Sequence, residues 1–144
     1  MSIASILKRK GGTVITVTPS TTIGMAARRL RMEKIGAIVV SADGQHIDGI
    51  LSERDIVHGL TEHGGAVIDM PVSALMSHKV LTCKPGAEIR DVMRLMTTHR
   101  IRHVPVHDEG GLHGIVSIGD VVQNRLQDME LEANVLHDVI TARR

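Results

Sequence analysis

The sequence contains no Phe, Tyr or Trp in 144 residues. Readers of single-stranded nucleic acid stack bases on aromatic rings, and this chain has none to offer. Any flat ligand must be held between aliphatic side chains and backbone. Cysteine is nearly absent too: Cys83 stands alone, which excludes an intramolecular disulfide and reads as a small buried hydrophobe. Neither sign of charge prevails. Seventeen Lys and Arg against 16 Asp and Glu give +1, not the basic footprint of a nucleic-acid binder. The runs Lys8-Arg9-Lys10, Arg28-Arg29 and Arg143-Arg144 are short and read as solvated surface. No apolar stretch approaches the ~20 residues of a membrane span, and the N-terminus lacks a signal-type apolar run. The expectation is a soluble, cytoplasmic protein that engages neither nucleic acid nor membrane.

What the chain does contain is a repeat. Residues 49–57 read Gly-Ile-Leu-Ser-Glu-Arg-Asp-Ile-Val, and residues 114–122 read Gly-Ile-Val-Ser-Ile-Gly-Asp-Val-Val. Upstream the match continues through Val14/Val80, Thr16/Thr82, Pro19/Pro85, Ile23/Ile89, Arg28/Arg94, Ile35/Ile101, Val40/Val106 and Gly44/Gly110. The offset is 66 there and 65 later, so one residue is deleted between Gly110 and Gly114. A unit of about 65 residues has a marginal core alone, so two units packed on each other are expected.

Each copy shows the same order of elements. A short apolar segment leads: Ile3, Ile6 and Leu7, or Val72, Leu75 and Met76. A β-rich run follows at Val14–Val17 or Val80–Cys83 and ends in Pro19 or Pro85. Then Ile23, Ala26, Ala27, Leu30 and Ile89, Val92, Met93, Met96 mark one buried helical stripe per copy, with Thr21 or Thr22 able to cap the first. Strands at Ala37–Ser41 and Ile47–Leu51, and at His103–His107 and Leu112–Val116, flank Gly-containing turns. A second helix starts at Ser52 or Ser117. The fold class expected is α+β: two β-α-β-β-α units packed by pseudo-two-fold symmetry into one module, with a C-terminal helix. The divisions expected are 1–63, a Gly-rich linker 64–71, 72–126, and a helical extension 127–144.

Ser52 with Asp55, and Ser117 with Asp120, have capping-box spacing. Their recurrence at equivalent places, each with a Gly three residues before the Ser, also fits a ligand site. Gly permits close approach to the backbone, and an Asp at a helix start can accept both hydroxyls of a ribose. Capping and ribose binding are compatible.

With these residues in view, the chain resembles the CBS domain family (named after cystathionine β-synthase), as the tandem pair known as a Bateman module. The resemblance rests on Val17-Thr18-Pro19 leading into Ile23, on Val104-Pro105-Val106, and on the two Gly-x-x-Ser-x-x-Asp phrases. It covers nearly the whole chain. It implies clefts between the units that bind AMP, ADP, ATP, NAD(H) or S-adenosylmethionine. Ser52, Asp55, Ser117 and Asp120 would hold ribose. Ile35-Gly36-Ala37 and Ile101-Arg102-His103 would hold adenine, with Thr18 nearby. The first copy departs from the pattern, since Ile38-Val39-Val40 lacks the proline. Arg54, Arg100 and Arg102 are either phosphate ligands or solvated arginines, guanidinium being suited to bidentate phosphate contacts.

His99 and His103 are four apart but lie before Pro105, which disfavours helix there, so no metal site is expected. No nucleophile–base pair has convincing spacing. The leading reading is a non-catalytic sensor of adenine nucleotides that signals to a regulated enzyme or transporter. The alternatives are a purely structural dimerisation module and an enzyme acting on a nucleotide. From Asp120 a helical pattern runs through Val122, Leu126, Met129, Leu136 and Val139 without Gly or Pro. That stripe has no counterpart in the first copy and points to a homodimer, unless the helix folds back on its own repeat.

Overall fold

A computed structural model describes residues 2–11 and 14–142, so the Arg143-Arg144 pair lies outside the described residues. The chain opens with α1 (Ile3–Lys10), then β1 (Thr16–Val17), α2 (Ile23–Glu33), β2 (Ala37–Val40), β3 (Gly49–Ser52) and α3 (Glu53–His63). Two short 3-10 helices follow, Gly64–Asp69 and Val72–Ala74. The second copy supplies α4 (Ile89–His99), β4 (His103–Asp108), β5 (Gly111–Ser117) and α5 (Ile118–Ala142). The mixed α/β class and the C-terminal helix agree with the sequence pattern.

Each copy builds its own small sheet and core. In the first, β1 runs parallel to β2, and β2 pairs antiparallel with β3, Ala37 opposite Ser52. In the second, β4 and β5 form a hairpin with Val104 opposite Val116 and a bulge after Val106. The helix stripes fall where periodicity puts them: Ile23, Ala26 and Leu30 are buried on α2, and Ile89, Val92 and Met96 on α4. Thr22 caps α2, its Oγ1 accepting from the Met25 N–H at 3.3 Å.

The expected strand at Val80–Cys83 shrinks to one parallel bridge, Cys83 to Val106. Cys83 donates to the Pro105 carbonyl at 3.0 Å and accepts from the His107 N–H at 2.9 Å. The next rung toward Leu81 would need an N–H from residue 105, and proline has none. Val39 stands at the equivalent place in the first copy, where β1 forms.

The leading segments are exchanged between the cores. Ile3 and Ile6 of α1 are buried with Ile89, Val92, Met96, Val104, Val106, Val116 and Val121, all from the second copy. Val72 is buried with Ile23, Leu30, Val40 and Leu51 of the first. Burying Ile3 and Ile6 alone is worth up to about 3–6 kcal/mol, which ties the N-terminus to the far half of the chain. The 64–71 stretch, expected as a linker, carries the 3-10 turn Gly64–Asp69, and its Val67 is buried in the first core.

The repeated glycines serve this exchange. A Cβ on Gly49 would stand 2.6 Å from Met76 Sδ and 2.8 Å from the Ser77 carbonyl oxygen. Ser77 and Ile50 trade backbone hydrogen bonds at 2.9 and 3.0 Å. Gly114, at φ +153°, faces the Leu7 side chain of α1. The space that the sequence reading left for a ligand beside these glycines is filled by the chain's own leading segments.

α5 leaves the body of the molecule. Val121 and Asn124 are its buried residues, and everything from Met129 to Ala142 is exposed. The stripe therefore does not fold back on its own repeat: Leu126, Met129 and Leu136 are 55, 52 and 62 % exposed.

Candidate functional site

The first cleft lies where the two copies meet. From the first copy come Gly36 and Ala37 at the entry to β2, Ile50 and Ser52 on β3, and Glu53, Arg54 and Asp55 on the first turn of α3. From the second come Ser77, Lys79, Val80 and Leu81 after the leading segment, and Arg100, Ile101, Arg102 and His103 between α4 and β4. The volume is about 260 Å³, at the small end for a small-molecule site.

Local rules place each group. Ser52 and Asp55 form a complete capping box: the Ser52 N–H and hydroxyl donate to Asp55 Oδ2 at 2.8 and 3.1 Å, and the Asp55 N–H donates back to Ser52 Oγ. The Glu53 N–H donates to the Gly36 carbonyl at 3.0 Å, which holds the helix start against the entry to β2. Arg100 ends α4 in the left-handed conformation at φ 54°, as Lys34 ends α2 at φ 55°. That conformation is uncommon for a side-chain-bearing residue and here turns the chain into the cleft.

The lining divides into two kinds. Ala37, Ile50, Val80, Leu81 and Ile101 make an aliphatic slot, the only kind a chain without aromatics can build. Lys79, Arg54, Arg100 and Arg102 face two carboxylates, Glu53 and Asp55, leaving a surplus of two positive charges (four against two). His103 adds none at neutral pH. Burial holds its imidazole below the ordinary histidine range, and the opposing pull of Glu53 does not cancel that. His103 also presses on Gly36, where a Cβ would stand 3.1 Å from Nε2.

The pseudo-symmetric second cleft is roomier, about 370 Å³, and built differently. Leu7, Lys10, Gly11, Val14 and Ile15 line it from the N-terminal side, with Ile35, Val39, Gly114 and Ile115 opposite. Neither Ser117 nor Asp120 lines it. Asp120 accepts from the Ser117 N–H at 2.8 Å and also from Lys10 Nζ at 2.8 Å. The same ammonium donates to the Ile115 carbonyl at 2.9 Å. Burial raises the Asp120 pKa, but the Lys10 and Ser117 hydrogen bonds and the Lys10 charge outweigh it, and the net shift is downward. Among the described residues no cation lies within ion-pair distance of Asp55.

Of the residues singled out in the sequence, Gly36, Ala37, Ser52, Arg54, Asp55, Arg100, Ile101, Arg102 and His103 come together in the first cleft. Ile35 lines the second instead. Thr18 lines neither; it is exposed, and its hydroxyl faces those of Ser20 and Thr21. Ser77, Lys79, Val80 and Leu81 were not anticipated. For Val80 and Leu81 the signal was the repeat itself, since by the 66-residue offset they match Val14 and Ile15. His99 closes α4 and His103 opens β4, and no group of three metal-ligating side chains is found among the described residues.

Comparison with known proteins agrees with this architecture. The family model "CBS domain" matches residues 5–62 and again 72–126. The CBS domain-containing protein YhcV of Bacillus subtilis is 36 % identical over 115 residues, covering 80 % of this chain and 81 % of its own. The crystal structure of the CBS-domain containing protein ATU1752 from Agrobacterium tumefaciens is 44 % identical, with a TM-score of 0.81 over 87 % of this chain and 99 % of that one. The CBS domain pair of protein MJ0100, solved with 5′-methylthioadenosine and S-adenosyl-L-methionine, shares the fold at 22 % identity, with a TM-score of 0.76 over 85 % of this chain and 98 % of that one. Two copies of one motif, joined across a shared cleft and matched twice by one family model, make this chain a member of the CBS domain family, in tandem-pair form.

Proposed function

We propose that the chain is a regulatory module that senses an adenosine-containing ligand and does no chemistry on it. The observation that carries this reading is the company Asp55 keeps. A carboxylate with no cation in ion-pair distance among the described residues stands at a helix start, beside an aliphatic slot and four basic side chains. Asp55 and Ser52 take the ribose hydroxyls, Ala37, Val80, Leu81 and Ile101 sandwich the adenine, and Arg54, Arg100, Arg102 and Lys79 receive the phosphates. AMP, ADP, ATP and NAD(H) fit that polarity better than a ligand without phosphate. The MJ0100 pair, a fold relative, was solved with two adenosine-containing ligands. A ribose-holding carboxylate that accepts from the Ser52 N–H and hydroxyl makes a poor general base.

The signal passes to a regulated enzyme or transporter in the cytoplasm, and the exposed stripe of α5 pairs two chains as a homodimer. No helix among the described residues is long and apolar enough to cross a membrane. The test is a thermal-shift series on ligand-free protein with AMP, ADP, ATP, NAD, NADH and S-adenosylmethionine, followed by chromatography of the recovered nucleotide. Stabilisation with the nucleotide returned intact supports the reading. No response to any of them refutes it, and a consumed nucleotide makes the protein an enzyme.

A further inference from the structure

We infer that the carboxylate end of the second cleft is closed off by the chain's own Lys10, which holds the place at Asp120 that a ligand's hydroxyl groups would take, so that the two clefts of one molecule fill in sequence. The inference rests on the reading that the helix-start carboxylates receive ribose.

The two halves use the lysine that follows the leading segment differently. Leu7 sits on Gly114 as Met76 sits on Gly49, and the Ile3 N–H donates to Ala87 as the Val72 N–H donates to Thr21, so Lys10 corresponds to Lys79. In the first cleft Lys79 is among the lining residues but, among the described residues, makes no ion pair with Asp55. In the second, Leu7 lies against Gly114, and Lys10 reaches on to Ile115 and Asp120. One ammonium thus satisfies both a carbonyl and a carboxylate. The carboxylate is the hydrogen-bond partner that a bound sugar would need. The consequence is visible in the cavity itself: the first cleft is floored by Ser52 and Asp55, whereas the second ends before Ser117 and Asp120.

The latch is weak by construction. Lys10 and Asp120 side chains are 35 and 21 % exposed, and pairs of this kind are readily exchanged. A ligand for the second cleft must displace Lys10 and therefore binds on the order of tenfold more weakly than it would in an open cleft. Displacement has a mechanical side. Lys10 is the last residue of α1, which Ile3 and Ile6 anchor in the second core. Filling the second cleft releases the end of that helix, whereas filling the first does not. The module so reads two concentration ranges of one ligand.

The test is titration calorimetry of the full chain with AMP, and with adenosine as a probe that lacks phosphate. The parent should bind in two steps about tenfold apart. Lys10→Met, which removes the ammonium from Asp120, should leave the tight step unchanged and draw the weak one up to it. Lys10→Arg, which keeps a cation at Asp120, should behave as the parent. In an Asp55→Asn background, where the second cleft is the site observed, Lys10→Met should tighten both probes about tenfold. If Lys10→Met instead weakens AMP binding there, Lys10 is a phosphate contact and the latch is overturned. If it changes nothing while the first step persists, the latch is overturned and the nucleotide reading stands. If neither probe binds any variant, both fall together.

Discussion

Replacing Asp55 by Asn should separate ligand binding from capping. In the capping box Asp55 Oδ2 accepts from the Ser52 N–H at 2.8 Å and its hydroxyl at 3.1 Å. An amide oxygen can keep the first of these bonds, so the helix loses mainly a negative charge at its N-terminus, about 0.3–1 kcal/mol. The ligand loses more. A neutral amide cannot accept two hydroxyls as a carboxylate does, and one charge-assisted hydrogen bond is worth about 1.5–3 kcal/mol. That is roughly a 10- to 100-fold weaker first site. At a ligand concentration near 100 times the parent dissociation constant, linkage stabilises the parent by about 2.7 kcal/mol. A thirtyfold loss of affinity leaves about 0.9 kcal/mol. At about 3 °C per kcal/mol for a chain of this size, the ligand-induced rise in melting temperature should drop from about 8 °C to about 3 °C. Asp120→Asn should barely change that first step, because the second carboxylate is already engaged by Lys10. The assay is thermal melting with and without AMP on both variants, with calorimetry for the dissociation constant. An Asp55→Asn protein that folds normally and shows the full rise would refute the ribose assignment.

Three further outcomes are expected. Gly49→Ala should destabilise the fold by about 1–3 kcal/mol in denaturant melts, because Met76 can turn aside but the Ser77 carbonyl is backbone held in a bridge. His103 resists protonation in the folded state, so ligand-free stability should fall as pH drops below about 6.5, where the unfolded chain takes up the proton first. ATP should blunt that fall by favouring the charged imidazole, and His103→Gln should abolish both effects; an identical pH profile for the variant would place the titration elsewhere. Leu126→Glu with Leu136→Glu should turn a dimer into a monomer by light scattering without lowering the melting temperature of the body, since both side chains are exposed within the chain; a monomeric parent at micromolar concentration would remove the proposed interface.

Local patterns carried much of this structure. The stripes of α2 and α4, both hairpins and the capping boxes were legible because each is written within a few neighbouring residues, and the repeat vouched for them twice. Most of the first cleft was legible for the same reason, as Ser52, Asp55 and Arg100–His103 belong to short phrases. What could not be read was partnership at a distance. The spacing of Ile3 and Ile6 shows that α1 has a buried face, but nothing in it names the second core. The loss of a strand at Val80–Cys83 depends on one missing N–H at Pro105, about two dozen residues away. Val67 lies between the repeats among Gly and polar residues, and nothing local shows that its side chain enters the first core. Lys10 and Asp120 are 110 residues apart and belong to no shared motif.

The exchange of leading segments has a consequence for how the molecule is made. α1 is synthesised before the second-copy elements it packs on, and its hydrophobic partners extend to Val116 and Val121. Until Val116 and Val121 have been synthesised, the core that Ile3 and Ile6 enter is incomplete. The first copy is better placed, since Val67 and Val72, which complete its core, emerge soon after β3 and α3. Synthesis should therefore yield a nearly closed first half trailing an unpacked N-terminal segment, with α1 docking last. Contacts of such long sequence separation slow folding and leave apolar surface exposed meanwhile. Restraining α1 should slow maturation far more than restraining the outer half of α5, which runs clear of the body.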